Sequence, residues 1–66
     1  MVLRNLNTGE FYKGINPKTN EMEFTTSRDG AKYFINRWYA NTHIDFLKYH
    51  FPDKMEIISN LELLYG

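Results

Sequence analysis

His43 and His50 are the side chains of this sequence best suited to hold a metal ion or move a proton near neutral pH. Seven residues apart on a helix, they would stand two turns, or about 10 Å, from one another, too far to share one ion. With no cysteine in the chain, a metal site would need distant carboxylates to converge. Glu21 and Glu23 form the one carboxylate pair, and two positions apart on a strand they read as a solvated face rather than as an acid and a base. Ser27 and Ser59 have no histidine beside them, and Gly9, Gly14, Gly30 and Gly66 are too scattered to cradle a phosphate. These residues point to a chain without catalysis, metal or cofactor.

Binding chemistry is better represented. The stretch YFINRWYANTH, Tyr33 to His43, sets four aromatic residues into seven positions. At about 100° per residue, Ala31, Phe34, Ile35 and Trp38 cluster on one side of a helical wheel, and Ala40, Ile44, Leu47 and Phe51 lie roughly 160° away. One straight helix cannot bury both stripes in so small a domain. A break at Asn36 resolves the conflict, because Asn caps a helix well and is a poor interior residue. The pattern predicts a short helical turn at about Arg28–Phe34 and a main helix at about Arg37–His50. On that helix Tyr39, His43, Phe46 and His50 flank the second stripe and widen the buried face. Arg37, Trp38, Asp45, Lys48 and Tyr49 are left opposite, with the residue mix found where interfaces have hot spots. For Trp38 the first reading is nevertheless the core: at the start of the main helix it folds back onto the short helical turn beside Phe34, and membership of the patch is the second.

A nucleic-acid site is the alternative. Arg4, Phe11, Tyr12 and Lys13 on a hairpin would make a stacking platform with phosphate contacts. Eight basic residues offset eight acidic ones, however, and a chain without a basic surplus gains little from counterion release. Only local imbalance remains, with four basic against two acidic residues between Arg28 and His50 and three acidic against one basic from Asp53 onward.

The elements that must position these groups fit into one domain, since 66 residues are too few for two. Eleven aromatics offset the small core expected at this size, each able to bury on the order of 150–250 Å². The absence of cysteine, of a signal-like apolar start and of a bilayer-length stretch leads to the expectation of a cytoplasmic protein, in the host cell if it acts there. Asn7-Thr8-Gly9 reads as a hairpin turn between strands near Val2–Leu6 and Glu10–Gly14. Of the adjacent Phe11 and Tyr12, one must sit on the less buried face, and the pattern leaves open which. INPKTNE is a loop, and EMEFTT a third strand with Met22 and Phe24 on one side. Thr26 or Ser27 can cap the short helical turn. Pro52 ends the main helix, and alternation from Met55 to Leu64 reads as a last strand with a bulge or bend at Ser59-Asn60. The expected architecture is α+β, a small antiparallel sheet in the order β-β-β-α-α-β with a broken helix on one face. In that arrangement Ile58 and Leu64 face away from the helices, and a homodimer through the C-terminal strand would cover them.

The run Asn7-Thr8-Gly9-Glu10-Phe11-Tyr12, followed by Phe24-Thr25, Ala31-Lys32-Tyr33-Phe34, Ala40, Leu47 and Met55-Glu56-Ile57, resembles small phage and prophage proteins of low-GC Gram-positive bacteria. The aromatic helix and the tail LELLYG depart from that pattern. The resemblance implies a protein-binding inhibitor or adaptor acting on a bacterial host or defence protein, for example a CRISPR effector.

Overall fold

The computed structural model describes residues Met1–Tyr65. Four strands, β1 (Val2–Asn5), β2 (Phe11–Asn16), β3 (Glu21–Thr25) and β4 (Leu61–Leu64), form one sheet in the order β3-β2-β1-β4. Every neighbouring pair is antiparallel. Helix α1 (Arg37–His50) and the short α2 (Met55–Ser59) complete a small α+β domain, with 3-10 turns at Arg28–Gly30 and Pro52–Lys54. The core is Leu3, Tyr12, Phe34, Ala40, Leu47 and Ile58, flanked by Met22, Phe24, Ile44 and Leu63 among others.

Both hairpins are closed by one hexapeptide pattern, Asn5-Leu6-Asn7-Thr8-Gly9-Glu10 and Asn16-Pro17-Lys18-Thr19-Asn20-Glu21. In each, the first Asn turns its Oδ1 back to accept from the backbone N–H groups two and three residues on: Asn7 and Thr8 in one, Lys18 and Thr19 in the other. The fifth residue is left-handed, Gly9 at φ 76° and Asn20 at φ 58°, and its N–H bonds the carbonyl of the first. The device therefore begins at Asn5, not at Asn7. It also explains why Asn5 is buried without cost, since its side chain is satisfied by the turn it builds.

Tyr12 is the inward member of the Phe11-Tyr12 pair and is fully buried. A register shift between Tyr12 and Gly14, with Gly14 at φ 131°, makes Lys13 the extra residue of a bulge. Tyr12, opposite Phe24, and Ile15, opposite Met22, can thus both pack on the core although they are three apart.

The helical turn expected over Arg28–Phe34 is helical only at Arg28–Gly30. The rest is a strap across one end of the sheet: the Lys32 N–H bonds the Tyr12 carbonyl, and Met1 and Phe34 exchange two bonds of 3.0 and 2.7 Å. Beyond Arg4 and Phe11 the register of β1 on β2 does not continue, and the strap there bonds the Tyr12 carbonyl of β2 and the backbone of Met1, just ahead of β1. Ser27 precedes the 3-10 turn but makes no side-chain cap. Asn36 does cap α1, its Oδ1 accepting from the Tyr39 N–H at 3.1 Å. The chain breaks where the two apolar stripes collide.

The strand expected over Met55–Leu64 is overturned in its first half. Met55–Ser59 is helix, closed by Ser59 Oγ and Asn60 Nδ2, which donate to the Met55 and Glu56 carbonyls. Over five residues an alternating pattern also places Met55 and Ile58 one turn apart, so period alone does not choose. Ile58 consequently points into the core and is almost fully buried, not outward beside Leu64. Leu64 is half-buried and pairs with Val2 on the edge strand β4. The outer apolar pair on which the C-terminal dimer rested does not form.

Candidate binding face

Helix α1 presents three different sides. Ala40 and Leu47 are buried on the sheet, with Ile44 and the following Phe51 partly so. Arg37, Asn41, Asp45 and Lys48 are exposed on a polar side. Between these, taking about 100° per residue, Trp38, Tyr49, Thr42, Phe46, Tyr39, His50 and His43 fill a sector of roughly 140° in which every side chain but Thr42 is aromatic or histidine. Tyr39 and Phe46 were expected to widen the core face; they are 51% and 42% exposed, and His50 is exposed as well. The sheet is too narrow to cover more than the Ala40–Leu47 line.

The core reading of Trp38 fails too: the indole is 66% exposed and packs edge-on against Tyr39, at 4.9 Å between centroids. Of its predicted stripe, Phe34 is buried and Ile35 is 70% exposed, because the strap is not helical there and the chain bends at Ile35.

An open cleft of about 640 Å³ lies between the strap and α1, lined by Lys32, Tyr33, Phe34, Ile35, Tyr39, Thr42, His43 and Phe46. Its floor is connected to the core by rings. His43 lies 5.3 Å from both Tyr12 and Phe34 and stacks on Phe46 at 5.6 Å; Phe46 meets His50 at 4.2 Å, and His50 meets Tyr49 at 5.2 Å. The Tyr12 hydroxyl and His43 Nε2 share a hydrogen bond of 2.7 Å. Burial pushes the Tyr12 phenol up to about 12. Burial, then the nearby Lys32 ammonium, lowers His43 below its ordinary value, so both partners are neutral at pH 7. With the Phe46 ring set between them, His43 and His50 do not converge, and among the described residues no group of three His, Asp or Glu side chains is placed to hold a metal ion.

The residues singled out from sequence are only partly brought together. Trp38, Asp45 and Tyr49 share a line on α1 and are exposed, with Lys48 to one side. Arg37 is engaged elsewhere: its guanidinium donates to the Tyr65 hydroxyl through both Nε and Nη2 and lies over that ring. The hairpin platform does not assemble. Tyr12 is in the core, whereas Arg4 and Phe11 pair with each other on the other sheet face and Lys13 sits in the bulge. Tyr33, Ile35, Tyr39 and Phe46 were missed as surface residues. For Tyr39 and Phe46 the signal was present in the helical wheel, which has room for one buried line on a sheet of four short strands and leaves the flanking aromatics outside; Tyr33 and Ile35 lie on the non-helical strap, where no wheel applies.

No helix among the described residues is long and apolar enough to cross a membrane. No family model matches the chain, and no curated protein and no solved structure matches it either.

Proposed function

We propose that this chain is a non-catalytic protein-binding module whose docking face is the aromatic side of α1 together with the strap. The observation that carries this reading is the concentration of Tyr33, Ile35, Trp38, Tyr39, Phe46 and Tyr49, each 42–80% exposed, around one cleft and its rim. Monomeric proteins seldom leave such a contiguous patch in water, and Trp and Tyr are the residues most often dominant at interface centres. Asp45, Lys48 and Asn41 form a polar rim beside it. The resemblance to small phage proteins makes a bacterial host or defence protein the partner, which the module would inhibit or redirect.

The test is matched capture from the lysate of a Gram-positive host with the wild-type chain, with Trp38→Ala and with Lys18→Ala on the far turn. The host protein retained by wild type and Lys18→Ala should be lost with Trp38→Ala. Measured on the purified pair, the affinity should fall about thirtyfold, the equivalent of about 2 kcal/mol. Equal retention by all three chains refutes this face.

A further inference from the structure

We propose that, in the absence of a target, the aromatic face of α1 is covered by a second copy of this chain, in a two-fold dimer. This goes beyond the target reading and uses the same face, so target and second copy compete for it.

Area argues for this occupant. Tyr33, Ile35, Trp38, Tyr39, Phe46 and Tyr49 are 42–80% exposed. With about 150–250 Å² for each of the five aromatics and somewhat less for Ile35, the six together leave on the order of 700 Å² of surface in water. Patches on ordinary monomers reach roughly 300–600 Å², and a stable interface takes about 800 Å² from each partner. The face is of the size that one copy needs to cover another.

Charge permits it. Among the described residues lining the cleft, the only full charge at pH 7 is Lys32; Tyr33, Tyr39, Thr42 and Phe46 are uncharged and His43 is held neutral. Lys32 lines the cleft from the strap, with its ammonium 5.7 Å from the centroid of the Phe34 ring, and the rest of the lining carries no charge to repel a second copy.

Sedimentation velocity of the purified chain, from low to several hundred micromolar, should show a reversible monomer–dimer equilibrium with Kd in the micromolar range. Trp38, the only tryptophan, reports the interface directly. Its emission, characteristic of an exposed indole at low concentration, should shift to the blue as the dimer forms. Tyr33→Ser/Tyr49→Ser should weaken the dimer at least tenfold with an unchanged circular dichroism spectrum. Tyr33→Ser alone, on the strap and away from every helix, should weaken it less and keeps the test informative if the double variant unfolds. A monomer across the whole range, a dimer insensitive to Tyr33→Ser, or a dimer that leaves Trp38 emission unmoved overturns the proposal. None of these measurements involves a host protein, so the target reading stands or falls separately.

Discussion

The Tyr12 hydroxyl, on the central β2 strand, meets Nε2 of His43, on α1, at 2.7 Å. Among the described residues this is the one side-chain hydrogen bond between the sheet and α1, and it joins a fully buried ring to one that borders the cleft. Tyr12→Phe keeps the ring contacts with Phe24 and His43 and removes only that bond. His43 is half-buried and can turn to water, so urea denaturation should show a loss of about 1 kcal/mol, not the larger cost of a stranded buried group.

Acid should weaken the fold through His43. Its folded-state value is lowered, first by burial and then by Lys32, so the unfolded chain binds the proton more readily. The contribution is complete above the unfolded value of about 6.5 and is lost as pH falls below it toward the folded value. Tyr12, Phe34 and Phe46 surround the ring, and none offers a negative charge to compensate. Denaturation midpoints at pH 7.5 and 5.5 should therefore differ in the wild type. They should differ less in His43→Gln, which can still hydrogen-bond to Tyr12 but cannot titrate.

Leu47 and Trp38 should respond to truncation in opposite ways. Leu47 is fully buried between helix and sheet, and Leu47→Ala should cost about 2–5 kcal/mol, enough to unfold much of a domain this small. Trp38→Ala removes a larger side chain but only an exposed one, and thermal unfolding should register no more than about 0.5 kcal/mol.

The repeated turn can be tested one position at a time. Asn5→Ala deletes the acceptor for the Asn7 and Thr8 N–H groups and should cost about 1–2 kcal/mol. Gly9→Ala is forced to φ 76° with its new Cβ 3.4 Å from the Arg4 guanidinium, and should cost about 1–2 kcal/mol. Asn20→Gly, at φ 58°, should change stability by less than about 0.5 kcal/mol, because either residue accepts that conformation. Chemical denaturation of the three variants gives the order.

Local chemistry determined much of this protein from sequence alone. The collision of two apolar stripes placed the start of α1 at Asn36, and the helix ends just before Phe51-Pro52 as the proline requires. The Ala40–Leu47 line identified the buried side of α1, and the turn formers marked both hairpins. The α+β class follows from those elements. What the sequence left open needed partners distant along the chain. Phe11 and Tyr12 are equally good strand residues, and the Gly14 bulge together with His43, 31 residues away, decides that Tyr12 is inside. Met55–Ser59 fits two periods, and only the room beneath α1 for Ile58 selects a helix. The strap is not helical because Tyr12 and Met1 supply its backbone partners, which no local pattern announces. The aromatic face was legible as an excess of rings on one helix, but which rings remain outside was decided by the width of the sheet. Burial is a property of the surface that a side chain meets, and four short strands cover only one line of α1.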